Sequence, residues 1–193
     1  IVVAEDNTIY DSREDCNAII ETATNTLITG CKNTVIPNSV TSIGRSAFYG
    51  CEGLTSIEIP NSVTTIGDGA FSGSSLTSIT IPNSVTTIGN NAFSCYNLES
   101  ITISDSVTSI GWGAFKACKN LESITIPDSV TSIKDCAFSG CHRLKNIILP
   151  DSITEIGNWA FFECFYLKKK IIIPDSVEEI GCNLFEKDPY TPW

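Results

Sequence analysis

The sequence contains no methionine, a single histidine and only 12 Lys and Arg against 22 Asp and Glu, which gives a net charge of −10. A chain this acidic is a poor partner for nucleic acid, because phosphate binding needs clustered Lys and Arg. The one dense basic run, Lys168-Lys169-Lys170, is too short for such a footprint. No apolar run approaches the ~20 residues that a membrane-spanning helix needs. We therefore expect neither a nucleic-acid partner nor a membrane span.

The composition that remains is typical of a folded, globular protein. Hydrophobic residues make up 42% of the 193 residues and charged residues 18%. This balance excludes intrinsic disorder, and the length is sufficient for one domain with a sizeable core. The chain begins at Ile1 without a signal-peptide pattern, so we interpret it as a mature or trimmed fragment.

Two sequence anchors recur in step along the chain. An Ile-Pro pair, or a variant of it, returns every 22 to 24 residues, and an Ala-Phe or similar pair follows each one at a constant distance. The first anchor begins at Ile36, Ile59, Ile81, Ile103, Ile126, Leu149 and Ile173, and the second ends at Phe48, Phe71, Phe93, Phe115, Phe138, Phe161 and Phe185. A fixed period of this length indicates a solenoid, in which stacked coils bury each other's faces.

A single repeat predicts the path of one coil. Ile57 and Ile59 alternate with polar residues, which is the pattern of a half-buried strand, and Pro60 ends that strand. Gly67 is expected to take a positive φ at the next corner, and Phe71 to fill the far side of the coil. The fold class predicted is therefore a β-rich α/β solenoid. It is a right-handed stack with one parallel sheet on one face and short turns or helical turns on the other.

One position breaks the row of corner glycines. The row consists of Gly44, Gly67, Gly89, Gly111, Gly157 and Gly181, and Lys134 takes the place of the missing member. If the corner requires a positive φ, Lys134 is strained there, because a residue with a side chain disfavours that conformation. The sequence therefore predicts that Lys134→Gly stabilises the protein slightly.

The chain divides into three parts. We expect residues 1–33 to be a degenerate N-terminal repeat with a hairpin insertion, 34–187 to be the repeat solenoid of about seven coils, and 188–193 to be a C-terminal tail. Ile1 and Val3 are typical of the strand of a preceding repeat. The segments beginning at Asn17 and Thr26 predict the two strands of the hairpin.

The repeat unit, L-x-x-I-x-I-P-x-S-V-T-x-I-G-x-x-A-F-x-x-C-x-x-L, resembles the BspA-like class of leucine-rich repeats. Leu121 to Leu144 and Leu144 to Leu167 carry the resemblance most fully. It covers nearly the whole chain, although some repeats have only 22 residues and Ser74 stands where Cys is usual. The resemblance implies a secreted or surface-exposed protein, of bacterial type, associated with adhesion to host matrix proteins, host-cell attachment and co-aggregation. It implies no catalytic residues.

The nine cysteines are interpreted as structural. Five lie at or near one repeat position, Cys51, Cys95, Cys118, Cys141 and Cys164, where we expect small, buried, free thiols. Zinc is not expected, since the sequence has no C-x-x-C pair with a partnering His. Cys16 and Cys31 are the best candidates for a disulfide. His142 follows Cys141 directly, but the cysteine should point inward and the histidine outward, which excludes a nucleophile pair.

The candidate binding surface has two parts. The outward residues of the predicted sheet form a hydroxyl-rich row that becomes apolar toward the C-terminus: Glu58, Thr80, Thr102, Thr125, Ile148 and Ile172. A cluster of aromatics follows late in the chain, in which Trp159, Phe162 and Tyr166 are the candidates, and Trp112 is a further exposed candidate. Two structural roles are the alternatives to binding. The tail covers the late apolar residues, or the aromatics cap the last coil.

These features lead to three functional hypotheses, none of which involves catalysis, a metal or a cofactor. The leading hypothesis is an extracellular or cell-surface interaction module that binds a protein, such as a host extracellular-matrix protein. A carbohydrate-binding surface is the second, because Trp and Tyr can stack on sugars. A passive repeat spacer in a larger surface protein is the third. The sequence does not predict the oligomeric state.

Overall fold

A computed structural model of the chain describes residues 1–167 and 171–185, which form a β-solenoid of about six turns. The predicted leucine-rich-repeat stack is confirmed. Its seven anchors bound six complete turns, so the estimate of about seven coils was one too many. The tail predicted at 188–193 and the basic run at 168–170 lie outside the described residues. The right-handed winding remains a prediction.

Fourteen short strands occur in the described residues. They are β1 (Tyr10–Asp11), β2 (Ile19–Glu21), β3 (Thr26–Thr29), β4 (Ser42–Ile43), β5 (Thr65–Ile66), β6 (Ser78–Thr80), β7 (Thr87–Ile88), β8 (Ser100–Thr102), β9 (Ser109–Ile110), β10 (Ser123–Thr125), β11 (Ser132–Ile133), β12 (Asn146–Ile148), β13 (Glu155–Ile156) and β14 (Glu179–Ile180). The only helix in this part of the chain is a single 3-10 turn, Arg13–Asp15. The predicted hairpin is present as antiparallel β2 and β3, and β1 pairs with β2.

The parallel strands lie in two columns, so the prediction of one parallel sheet was incomplete. The first column holds three-residue strands directly before the Ile-Pro anchor or its variant, and β6 pairs with β8 and β10 with β12. The strand predicted at Ile57 and Ile59 is not formed, although Ile59 is buried as expected. The second column begins at β3 and otherwise holds two-residue strands. It runs from β3 through β4, β5 and β7 to β9, then from β11 through β13 to β14. Two-residue strands are too short to show a period of two, which is why the repeat did not reveal them.

The side of each coil that carries the Ala-Phe pair contains turns, and the predicted helical turns are not supported. The Tyr49 N–H closes a turn on the Ser46 carbonyl at 3.0 Å, whereas the Phe48 N–H donates to Ala70 of the next coil at 2.6 Å. Such coil-to-coil bonds compete with helical ones. Helix formation is also blocked by left-handed residues, one row of which contains Ser46, Gly69, Asn91, Gly113, Cys136, Trp159 and Asn183.

The corner glycines are needed for close approach and not for a positive φ, which corrects the interpretation of that row. The left-handed residues lie two positions further along. A Cβ built on Gly67 would lie 2.9 Å from the backbone nitrogen of Arg45, and one built on Gly111 would lie 2.6 Å from that of Asn90. Each glycine therefore packs directly on the backbone of the preceding coil, where no side chain fits.

A column of phenylalanines forms the centre of the core, as predicted. Phe48 to Phe161 of the repeat row are at most 1% exposed, and neighbouring rings stack with centroids 5.1 to 6.0 Å apart and nearly parallel planes. The inward isoleucines of the first column, such as Ile79 and Ile101, are also buried. Each coil therefore completes the burial of its neighbours, as a solenoid requires.

Within the described residues the second strand column is interrupted at a single boundary, between the coil of Ile110 and the coil of Lys134. β8 does not pair with β10, nor β9 with β11, within the described residues. At other boundaries the corner residue donates to the preceding coil, as Gly157 N–H does to Ile133 O at 2.7 Å. Lys134 has no such bond to Ile110 in the described part of the chain. Because the Lys134 Cβ occupies a place where only glycine fits, we attribute the opening to this side chain.

We therefore expect Lys134→Gly to raise the free energy of unfolding by about 1 kcal/mol. Closing the gap restores two or so backbone hydrogen bonds at roughly 0.5–1.5 kcal/mol each, against a glycine entropy penalty of roughly 0.5–1 kcal/mol. Chemical denaturation measures the change. Lys134→Ala is the matched control, because it removes the same exposed 3.1 Å ion pair with Glu155 but keeps the Cβ. An equal gain in both variants would show that the Cβ is not the cause.

Candidate binding surfaces

The predicted outward row lies on one surface, here called the strand face, which is formed by the first strand column and its continuation. Thr80 lies opposite Thr102 in the β6–β8 pair, and Thr125 lies opposite Ile148 in the β10–β12 pair. All six members, Glu58, Thr80, Thr102, Thr125, Ile148 and Ile172, are exposed. Their neighbours in the strands point inward, because side chains alternate between the two faces of a strand.

The N-terminal half of the strand face contains a groove of about 1110 Å³. Glu58 lies in it, and Ser and Thr hydroxyls line much of the rest, as the sequence predicted. Val35, one coil before Glu58 in the same row, also lines it and is 72% exposed. The sequence analysis missed Val35, although its place directly before the Ile36-Pro37 pair gave the necessary signal.

The C-terminal half of the strand face is apolar. Ile148 is 62% exposed and Ile172 is 82% exposed, and they follow each other in the outward row of consecutive coils. Together they form a small exposed apolar patch. The alternative, in which the tail covers them, concerns residues outside the described part of the chain.

The late aromatic candidates do not lie on the strand face. Trp159 follows Ile148 by 11 residues in a repeat of 23, which places it about half a turn around the coil. Phe162 is on the same turn-rich side as Trp159 and is half-buried, whereas Trp159 is exposed. Tyr166 is exposed at the corner after Cys164. The nine predicted residues therefore occupy three separate surfaces of the solenoid.

Trp159 has an unfavourable backbone conformation. Its φ is 53°, a left-handed value that bulky residues rarely adopt. The equivalent residues in two other coils are Gly69 and Gly113, and in a third Asn91. The conformation is imposed by the coil-to-coil ladder, in which the Trp159 N–H donates to Cys182 O at 3.0 Å. An exposed indole held at a strained position is consistent with a role in contact with a partner.

We expect Trp159→Gly to stabilise the fold by about 1 kcal/mol, because glycine adopts the left-handed conformation without the steric penalty of a Cβ. Urea denaturation of the full chain measures this. Trp159→Ala removes the same indole but keeps the penalty, so it should show no comparable gain. If alanine stabilises as much as glycine, the effect comes from removing exposed aromatic surface and not from the backbone.

Four ladder thiols are buried and free, as predicted: Cys95, Cys118, Cys141 and Cys164. The fifth, Cys51, is free but only half-buried. Each of the four buried thiols donates to a phenylalanine carbonyl in an earlier coil, for example Cys141 Sγ to Phe115 O at 3.1 Å. Burial raises the pKa of Cys95 to about 12 and also raises that of Cys141, so these thiols remain protonated donors. Their role is structural.

The proposed disulfide between Cys16 and Cys31 is not formed. Both thiols are free, and they donate to different backbone carbonyls, Cys16 to Ala18 and Cys31 to Asn17. These contacts satisfy the two sulfurs separately within the hairpin.

His142 is turned away from Cys141, as predicted. Its ring lies 5.2 Å from the Phe165 ring, and its Nε2 is 3.5 Å from Glu163 Oε2. Nearby, Lys145 and then Arg143 lower the pKa of the exposed Glu122 carboxyl by hydrogen bonding and charge. Phe165, which belongs to the late aromatic cluster and is 48% exposed, joins Tyr166 at this corner.

No group of metal-ligating side chains suited to hold an ion occurs among residues 1–167 and 171–185. In the same part of the chain, no helix combines the length and apolar content required to cross a bilayer.

Comparison with known proteins identifies the repeat. Residues 25–141 and 110–190 match the family described as BspA type leucine rich repeat region, in six copies. A leucine-rich repeat protein from Bacteroides ovatus is 40% identical over 78% of this chain, with a TM-score of 0.74. A leucine rich cell surface protein from Faecalibacterium prausnitzii is 31% identical over 94% of the chain, with a TM-score of 0.72. A leucine-rich repeat protein from Eubacterium ventriosum, 24% identical over 98% of the chain, shares the fold with a TM-score of 0.83.

The chain spans only 39% of the Bacteroides protein, 52% of the Faecalibacterium protein and 54% of the Eubacterium protein. No curated protein matches it at a significant level.

Proposed function

Because this chain belongs to the BspA-type leucine-rich repeat family, whose fold is typically non-catalytic, we propose that it is an interaction module of a secreted or cell-surface protein and that its strand face binds a protein partner. The observation that supports this most directly is the exposure of Ile148 and Ile172 at the apolar end of that face.

The strand face has the chemistry of a protein contact surface. An apolar end supplies the buried centre that an interface needs, and the surrounding hydroxyls of Thr102 and Thr125 supply its polar rim. The backbone of Ile148, Thr125 and Thr102 is fixed within the β10–β12 and β6–β8 strand pairs, so little conformational entropy is lost there when a partner binds. The net charge of −10 favours a partner with basic residues around its contact site, through long-range attraction.

A host extracellular-matrix protein is the partner class that we propose. The test is surface plasmon resonance of the full chain against a panel of purified matrix proteins. We expect Ile148→Asp to weaken binding at least about tenfold, because it places a charge in the apolar contact. Thermal unfolding should change little, since the side chain is exposed.

Tyr96→Asp is the matched control. Tyr96 is 57% exposed, close to the 62% of Ile148, but it lies at the corner after Cys95. The Tyr96→Asp variant should therefore bind the matrix protein as tightly as the unmodified chain does. If Ile148→Asp leaves binding unchanged, the strand face is not the contact surface. A chain that binds none of the panel would favour a spacer role.

A further inference from the structure

A second groove, of about 460 Å³, lies on the turn-rich side of the first four coils. It shares no lining residue with the groove on the strand face. Two exposed aromatic side chains bound it, Tyr49 at 69% exposure and Trp112 at 41%. They lie three coils apart along the stack, which corresponds to about 15 Å at the usual strand spacing.

The groove exists because the repeat carries small residues here. Its floor includes Ser46 and Gly69 from the left-handed row and Ser72 from the row of Tyr49. Later coils fill the equivalent positions with larger side chains, among them Trp159 and Phe162. The concave surface is therefore restricted to the N-terminal coils, although the backbone repeats along the whole solenoid.

Several polar groups that line the groove still have free hydrogen-bonding capacity. Asp68 Oδ1 accepts the Asn90 N–H at 2.7 Å, and Asn90 Oδ1 accepts the Trp112 N–H at 2.8 Å. The second oxygen of Asp68, the amide nitrogen of Asn90 and the guanidinium of Arg45 have no hydrogen-bond partner within the described residues. All three side chains are exposed. They offer one strong acceptor and several donors between the two aromatic rings.

The Trp112 ring is also held in one orientation. The ammonium group of Lys116 lies 5.2 Å from the centre of the indole, which is the geometry of a cation–π contact. A ring restrained in this way, with part of its surface still open to solvent, loses less side-chain entropy than a free ring when it receives a flat apolar ligand face.

We propose that this groove binds a neutral oligosaccharide. Aromatic rings provide flat surfaces for the C–H faces of sugar rings, and Asp68 and Asn90 provide the planar polar groups that bind sugar hydroxyls. Arg45 and Asp68 have opposite charges, so the lining itself selects no charged ligand, and the net charge of −10 disfavours an acidic one.

An extended peptide fits this surface less well. Strand addition needs unpaired backbone groups, but here the Ser46 N–H donates to Asp68 O at 2.8 Å and the Gly69 N–H to Asn90 O at 2.7 Å. The groove therefore presents side chains and not a free strand edge. The inference does not depend on the proposed function, which concerns the strand face.

The test begins with the full chain on an array of neutral oligosaccharides based on mannose, glucose and N-acetyllactosamine, together with sialylated and sulfated ones. We expect signals from neutral members. The neutral oligosaccharide with the strongest signal is then titrated into a Trp159→Phe, Trp193→Phe variant, in which Trp112 is the only remaining indole. The fluorescence of Trp112 should change as the oligosaccharide is added and should reach a plateau when the groove is saturated.

Tyr49→Ala and Trp112→Ala should each weaken this binding at least about tenfold. Tyr49→Ala changes a largely exposed ring, so it tests the groove even if the Trp112 variant fails to fold. Trp159→Ala and Ile148→Asp serve as controls and should bind the oligosaccharide normally. The proposal is overturned if no neutral oligosaccharide binds, if only acidic ones bind, or if Tyr49→Ala binds as well as the unmodified chain.

Discussion

Replacing Phe93 by alanine is expected to lower the free energy of unfolding by about 3–5 kcal/mol, because it leaves a cavity in the middle of the phenylalanine column. Phe93 is fully buried, and its ring is stacked between Phe71 at 5.3 Å and Phe115 at 6.0 Å. The substitution removes two aromatic contacts as well as the buried area, and each such contact contributes roughly 0.5–1.5 kcal/mol. Urea denaturation followed by circular dichroism measures the loss.

Phe185→Ala is the control for position in the stack. Phe185 is half-buried and stacks on Phe161 at 5.8 Å. In a solenoid each coil is stabilised mainly by its neighbours, so the loss should be smaller at an end than in the middle. Equal losses at the two positions, or a loss below about 1.5 kcal/mol for Phe93→Ala, would show that the column is not the main source of stability.

The phenylalanine column and the first strand column could be predicted because each is determined within a single repeat. A side chain such as Phe71 occurs at the same place in every coil, and Ile79 and Ile81 alternate with polar residues, as the half-buried strand β6 requires. Stacking then turns one residue position into one row. The same logic placed Ile148 correctly on the exposed side of its strand.

The glycine row shows where this logic fails. A glycine such as Gly67 is needed either where the backbone takes a positive φ or where another backbone approaches closely. The sequence alone does not distinguish these two reasons. The true left-handed row contains Gly69, Asn91 and Asn183, residue types that favour such a conformation, and this signal was available. Cys136 and Trp159 obscured it, because tertiary hydrogen bonds impose the conformation there against the residues' own preference.

The oligosaccharide groove was hidden for a different reason. Tyr49 and Trp112 occupy different positions of the repeat and are 63 residues apart in sequence. Neither is part of a recurring pattern, so the period that revealed the fold carries no information about them. They come together only because the coils between them have small residues at the floor. Sites made from departures from a repeat are therefore the part of a solenoid that sequence predicts least well.

Gly89→Ala should destabilise the protein by about 2–4 kcal/mol, through loss of several coil-to-coil hydrogen bonds at roughly 0.5–1.5 kcal/mol each. The new Cβ would lie 2.6 Å from the backbone nitrogen of Asp68, so the two coils must separate. Hydrogen exchange should locate the damage. The amide of Thr86 donates to Thr64 O at 2.9 Å and that of residue 89 to Ile66 O at 2.8 Å, and both should lose protection.

Gly50→Ala separates this effect from the intrinsic preference of glycine. Gly50 has a φ of 60° and no atom within 4 Å of a built Cβ, so alanine there should lose only about 1–2 kcal/mol of backbone preference, with the strand amides still protected. The unmodified protein contains an internal reference as well, since Lys134 already opens its own boundary. Its amide and that of Thr131 should exchange faster than those of Gly89 and Thr86. If all four are equally protected, the separation of the coils at Lys134 is wrong, and with it the reason that a glycine is needed at this corner.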